Sequence, residues 1–201
     1  MAQQQRTISQ VVSTYRDQLT NFTHETLNGS MDAVDMRRAH GALVRQLGPQ
    51  AYYEGLREGG IPAEEADNAD KAAIAEWLRG QLSHVNGFAA DTVAARGDSG
   101  KRAGIMGRLG LWIESMQVIG SQGLMSAQKN AMGTWRLGAT EQHCKTGNGR
   151  IGCANLHGKR HRLSWFLSRN LIPRQPGSEI LGCKGYKCLC EIKDDKGNKL
   201  V

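Results

Sequence analysis

The sequence predicts a mainly α protein, with a helical N-terminal body over residues 1–132 and a small, cysteine-rich α+β module over residues 133–201. Two observations carry that division. Through the first two thirds of the chain, apolar residues recur at alternating intervals of three and four, the period that lines one face of a helix. Charge and cysteine are concentrated in the last third: residues 1–135 hold 13 Lys and Arg against 14 Asp and Glu, whereas residues 136–201 hold 13 against 5 and all five cysteines. With 201 residues the chain can bury a substantial core. No apolar run approaches the roughly 18 to 20 residues of a membrane span, so no membrane role is expected. The first residues, Met1 to Val12, have neither a continuous apolar stretch nor a small-residue cleavage site, and synthesis in a reducing cytoplasm is the expectation.

The first helix begins near Ile8. Ile8, Val11, Val12, Tyr15, Leu19 and Phe22 fall on one face over about five turns, and Asn28-Gly29 supplies a stop. Ser30 or Asp32 can cap a second helix running through Leu47. Gly48-Pro49 is expected to break it, leaving Gln50 to Glu58 as a short separate helix closed by Gly59-Gly60. After Pro62 come two long central helices, one holding Ile74, Trp77, Leu78, Leu82, Val85, Phe88 and Ala89, the other Ile105, Leu109, Trp112, Met116 and Ile119. Arg96 to Gly100 forms the loop between them. Its Arg-Gly-Asp triplet is not read as a cell-adhesion signal in a chain without a signal peptide, and the Asn-x-Ser/Thr matches at Asn21 and Asn28 are discounted for the same reason.

The second central helix contains Gly104, Gly107, Gly110, Gly120 and Gly123. Each costs about 1 kcal/mol relative to alanine in a helix interior. Either a neighbouring helix or chain approaches closely enough to offset that cost, or part of the stretch is poorly helical. His24, His40 and His84 have no partnering cysteine or paired carboxylate at ligand spacing, and Trp77 and Trp112 read as core. The common phosphate-binding glycine motifs are missing. The helical part reads as a scaffold, and no enzymatic activity is expected.

In the module, Thr134 to Thr140 reads as a strand leading into His143-Cys144, and a second strand is expected near Cys190. The cysteines follow as Cys144-x8-Cys153 and Cys183-x4-Cys188-x-Cys190. Zinc takes four soft or borderline ligands in a tetrahedron, and two cysteine-bearing turns folded towards each other supply them. Cys144 and Cys153 would form one knuckle, with Gly147, Gly149 and Gly152 easing the turn, and Cys188 and Cys190 the other. Cys183 is the alternate ligand; His143, His157 and His161 are further donors. Disulfides formed after release from the cell, and unligated buried thiols, are the other two readings of the same five residues. A Cys-His catalytic pair is disfavoured, because adjacent residues on a strand face opposite sides.

Between the cysteine groups, Leu156 to Arg169 interleaves cations with aromatic residues. Lys159, Arg160, Arg162 and Arg169 are candidate nucleic-acid contacts, neutralising phosphates while Trp165 and Phe166 offer stacking faces. The competing reading is a solvated basic edge followed by a core helix holding Trp165 and Phe166. A nuclease of the His-Asn-His type would need acidic metal ligands in an ordered spacing that this stretch does not have.

Taken in order, these residues resemble a known family. Ala51-Tyr52 and Gly55-Leu56-Arg57-Glu58-Gly59-Gly60-Ile61, then long helices, then Trp135-Arg136-Leu137-Gly138 and Thr140-Glu141-Gln142-His143-Cys144 are similar to the phage head morphogenesis proteins, the minor capsid proteins related to the Mu F-type head protein. The resemblance covers roughly residues 50 to 195. In that family the C-terminal module runs from a Trp through Cys-x2-Cys and a Leu-x-Gly turn to a terminal Cys-x-Cys. Cys153 with Leu156-His157-Gly158 matches the second cysteine and the turn, and Cys183-x4-Cys188-x-Cys190 followed by Glu191-Ile192 matches the end. This chain departs from the pattern at its first pair, where eight residues, Lys145 to Gly152, separate Cys144 from Cys153. The resemblance implies a virion protein of a tailed phage, made in the bacterial cytoplasm and built into the head in multiple copies near the portal or major capsid protein. A cytoplasmic zinc-dependent DNA-binding or nuclease module is the alternative that the residues leave open.

Overall fold

The computed structural model describes residues 6–139, 151–176, 178, 180–182 and 189–201. Four long helices make up the body: α1 (Ile8–Asn28), α2 (Ala33–Glu58), α3 (Asn68–Ala94) and α4 (Ser99–Ala127), with a 3-10 turn at Ala63–Glu65. Their ends follow capping chemistry. Thr7 and Gln10 form a reciprocal capping box on α1, Asp67 and Asp70 do the same on α3, and Asp32 and Asp98 accept backbone N–H groups at the starts of α2 and α4. Gly29, in the left-handed region at φ 89°, closes α1 at the expected stop.

The Arg-Gly-Asp triplet is occupied in joining helices. Arg96 donates to the carbonyls of Thr26 and Met31 at 2.7 and 2.6 Å, and Arg102, one turn into α4, donates to Leu27 O at 2.7 Å. Carbonyls at the end of α1 that have no partner within the helix are thus held by two guanidinium groups. Asp98, the third member of the triplet, is the α4 cap.

Gly48-Pro49 does not break the second helix. The residues expected to form two helices form one, α2, with Pro49 inside it. Proline in a helix interior forfeits one backbone hydrogen bond and costs about 3 kcal/mol. Here tertiary packing overrides that cost, because Val44, Leu47, Ala51, Tyr52 and Leu56 are buried on both sides of the proline. Gly48 serves packing, since a Cβ there would overlap the six-membered ring of Trp77.

The α2–α4 interface is the centre of the body and explains part of the glycine content of α4. A Cβ on Gly123 would overlap the Tyr52 carbonyl oxygen, one on Gly55 would overlap Gly120 O, and one on Gly120 would lie 2.6 Å from Ile8 Cγ2. Gly104, Gly107 and Gly110 have open space where a Cβ would stand, so they gain nothing from an intramolecular neighbour. One buried carboxylate ties three helices at the far end of this interface. Asp70 accepts from the hydroxyls of Tyr52 (α2) and Ser126 (α4), both at 2.7 Å, and from its own cap backbone at Asp67 N. Burial pushes the Asp70 carboxyl up, but the two hydroxyls, the Asp67 N–H and the charge of Lys129 together hold it below the ordinary aspartate range.

The chain then turns into the module. β1 (Met132–Arg136) is the central strand of an antiparallel sheet in the order β2-β1-β3, with β2 at Arg160–Arg162 and β3 at Glu191–Lys193. Short helices α5 (Cys153–Leu156) and α6 (Leu163–Leu167) flank β2. The strands expected near Trp135 and Cys190 are present, and β2 is an addition within the basic stretch. A second apolar core forms here from Trp135, Leu156, Leu163, Phe166, Leu171, Ile172, Leu181 and Ile192, and it takes in Val118 and Met125 of α4. β1 begins at Met132, and α4 contributes side chains to both apolar cores.

Candidate nucleic-acid interface and cysteine pair

The register of the sheet decides which side chains of the module meet solvent. Thr134 lies opposite Arg160 on one side and Lys193 on the other, Met132 opposite Arg162, and Arg136 opposite Glu191. Side chains alternate across a strand, so these seven residues share one face. Gly133, Trp135, His161 and Ile192 share the other, where Gly133, Trp135 and Ile192 are buried. A Cβ on Gly133 would overlap Ile192 Cγ2 and crowd Leu163, which fixes that face as the packed one.

The four nominated cations divide. Arg160 and Arg162 stand together on the solvent face, both exposed. Arg160 makes a two-pronged ion pair with Asp195, at 2.9 and 2.6 Å, and each partner stabilises the charged form of the other: the Arg160 guanidinium is pushed up, and hydrogen bonding to it brings the Asp195 carboxyl down. Arg162 donates to Asn130 Oδ1 at 3.4 Å. Lys159 is exposed just before β2, where its carbonyl accepts from Trp135 N. Arg169 lies beyond α6, away from the sheet register, with its guanidinium carbon 4.4 Å from the centre of the Trp165 ring.

Trp165 is neither an open stacking platform nor a fully buried core residue. Its ring stacks on His161 at 3.7 Å and 13°, while Arg169 covers it at 4.4 Å. Two groups so close to one ring centre cannot occupy the same face, so both faces of the indole are taken. Phe166, by contrast, is fully buried and packs edge-on against Trp165 and His161.

Of the nominated metal ligands, Cys153 opens α5 and Cys190 immediately precedes β3; both are buried within the second core. Cys144, Cys188 and the alternate Cys183 lie outside the described residues, as does His143. Two further donors have structural employment: His157 Nδ1 accepts from Leu137 N at 3.3 Å, and His161 is held in the stack. Among the described residues no group of three His, Cys, Asp or Glu side chains is gathered to hold an ion. The two described thiols nevertheless suit a borderline-soft ion, being sheltered from water in one cluster although 37 positions apart in sequence. That cluster also contains the Trp135 indole N–H, buried and with no hydrogen-bond partner among the described residues.

Two concavities in the helical body went unsignalled by any motif. A polar groove of about 1040 Å³ between α1 and α2 is lined by Arg6, Gln10, Asp17, Gln50, Tyr53 and Arg57. A smaller one of about 310 Å³ lies between α3 and α4 beside Pro176, and is lined by His84, Arg108, Trp112 and Ser115. One arginine in each is engaged internally: Arg57 with Glu54 and the Arg6 carbonyl, Arg108 with Asp91 at 2.5 Å.

No protein-family model matches the chain, and comparison with curated proteins and with solved structures gives no significant match. No helix among the described residues is long and apolar enough to cross a membrane.

Proposed function

We propose that this chain is a structural protein of a tailed-phage head, a minor capsid or head morphogenesis component. Its helical body packs against portal or capsid subunits, and its basic module faces packaged DNA. The observation that carries the reading is the module itself. The Trp-x2-Gly run, the Leu-x-Gly turn and the terminal cysteine pair that resemble the head morphogenesis proteins are distributed over Trp135–Gly138, Leu156–Gly158 and Cys188–Cys190. Trp135, Leu156 and Cys190, one from each segment, enter a single core. The body supports a scaffold role, since Asp70, the Tyr15–His40 pair and the Trp77–Ser115 bond join helices from within its core. Peptides of this chain should co-purify stoichiometrically with intact heads through a density gradient, and should resist removal by a wash that strips adsorbed host proteins. A chain found only in the soluble fraction of infected cells favours the cytoplasmic DNA-binding or nuclease module instead.

Within this reading, Cys153 and Cys190 would hold one zinc ion together with Cys144 and Cys188, with Cys183 as the alternate. A structural zinc supplies folding free energy to a module this small, and the spare Trp135 N–H is a donor of the kind that a charged sulfur accepts. Elemental analysis of the full chain, purified without added metal, is expected to find about one zinc per chain, the single-ion stoichiometry of a four-cysteine site. Absence of zinc together with intact disulfides by mass spectrometry would transfer the four cysteines to the disulfide reading.

A further inference from the structure

The geometry points to the solvent face of the three-stranded sheet, with Arg136, Arg160, Arg162 and Lys193 around Thr134, as the surface that lies on the phosphate backbone of duplex DNA. This inference rests on the proposal that the module contacts DNA and changes which residues make the contact. Lys159 and Arg169 leave the set; Arg136 and Lys193 enter it.

The register supplies the argument. Arg160, Thr134 and Lys193 form one row across β2, β1 and β3, and Arg162 and Arg136 stand in the neighbouring rows. Antiparallel strands lie about 4.8 Å apart, and same-face residues along a strand about 6.8 Å apart, so four cations share a flat patch a few phosphates wide. Glu191 pairs with Lys193 at 3.0 Å and Asp195 with Arg160. Neither Arg136 nor Arg162 has a carboxylate partner among the described residues. A threonine hydroxyl in the middle of such a row is a common phosphate donor.

Three features favour a nucleic-acid backbone over an acidic protein. Of the large apolar side chains exposed among the described residues, Val34 and Met106 belong to the helical body and Ile180 is in no strand; Leu189, two residues before Glu191 and beside Gly138, stands at the edge of this face. Protein interfaces draw most of their energy from buried aromatic or apolar anchors, and this face offers the partly buried Met132 and, at its edge, Leu189, with no aromatic residue. Beyond the sheet, Lys129 and Lys196 extend the positive surroundings at exposed positions. With both faces of Trp165 covered and Trp135 buried, base stacking has no platform here, and the contact should carry no sequence information.

The test uses the full chain and a short duplex, reading affinity against salt. Each phosphate contact contributes about −0.9 to the slope of log K against log salt. The double variant Arg136→Gln/Lys193→Gln is expected to flatten the slope by about 1.8, whereas Lys159→Gln/Arg169→Gln should leave it unchanged. All four side chains are at or near the surface, and circular dichroism together with the melting temperature identifies any variant that has lost its fold; single substitutions at Arg136 and Lys193, each worth about 0.9, then replace the double. If the wild type binds and only the Lys159/Arg169 pair flattens the slope, the sheet-face assignment is overturned while DNA contact stands. If the wild type shows no duplex affinity at about 50 mM salt, where such contacts are strong, DNA contact itself fails and the sheet-face inference goes with it.

Discussion

Replacing Gly123 by alanine should destabilise the chain by at least about 3 kcal/mol, at the upper end of what overpacking costs. The added methyl would overlap the Tyr52 carbonyl oxygen and stand close to Leu56 N, both backbone atoms of α2. A backbone cannot rotate away as a side chain can, so α2 and α4 must separate along their main interface, and the Asp70 hydrogen bonds from Tyr52 and Ser126 must stretch with them. Gly107→Ala, sixteen residues earlier on the same helix, should stabilise by about 0.5 to 1 kcal/mol, because its Cβ enters open space and alanine is the better helix former. Urea midpoints at constant m-value separate the two. A loss at Gly107 similar to that at Gly123 would show that the cost at Gly123 does not come from the α2 contact.

The contrast between these two glycines also shows what could be read in the sequence. Apolar periodicity located α1, α3 and α4, and the segregation of cysteine and charge located the module, because both are properties of composition and order alone. Pro49 misled for a physical reason. Local propensity is worth about 3 kcal/mol there, while the burial that outweighs it comes from Trp77 and from α4, residues whose proximity no local pattern encodes. Likewise, glycines recurring along one helix announce a cost, but only the fold shows that Gly120 and Gly123 offset it and that Gly104, Gly107 and Gly110 do not.

At the candidate site, identity was legible and grouping was not. The sequence marks Lys159, Arg160, Arg162 and Arg169 by their closeness along the chain. The strand period then sends Arg160 and Arg162 to one side and His161 to the other, and antiparallel pairing brings in Arg136 and Lys193 from 24 residues before and 33 after Arg160. The alternation in Thr134-Trp135-Arg136 and Arg160-His161-Arg162 was the available signal, but a three-residue strand is too short to announce itself. Trp165 was open to two readings because a ring stacked between an imidazole and a guanidinium satisfies neither of the simple expectations for an aromatic residue beside cations.

Between about pH 6.5 and pH 4, acid should weaken the helical body chiefly through one side chain, His40. Its ring is fully buried, with Nε2 2.9 Å from the Tyr15 hydroxyl, the Trp112 ring 4.4 Å away edge-on and Phe88 at 5.8 Å. Nδ1 has no hydrogen-bond partner among the described residues. Burial opposes a positive charge in this setting and lowers the His40 pKa to about 4, and burial likewise pushes the Tyr15 hydroxyl well above its usual range, so the pair stays neutral. The unfolded chain, with an ordinary histidine pKa near 6.5, therefore takes up a proton between about pH 6.5 and pH 4 that the folded chain refuses. Folding free energy is fully present above that window and falls as the pH drops through it, by about 3 kcal/mol in total. Asp70 contributes in the same direction, but its carboxyl is held below the ordinary aspartate range, so that loss comes at lower pH and leaves the histidine window distinct. His40→Phe keeps a ring in the aromatic cluster and removes the titration. Stability measured by urea unfolding from pH 7 to pH 4 should fall more steeply for the wild type than for the variant, with the gap between the curves narrowing by about 3 kcal/mol. Parallel curves would place the proton uptake elsewhere and mean that His40 is charged, or solvated, in the folded body.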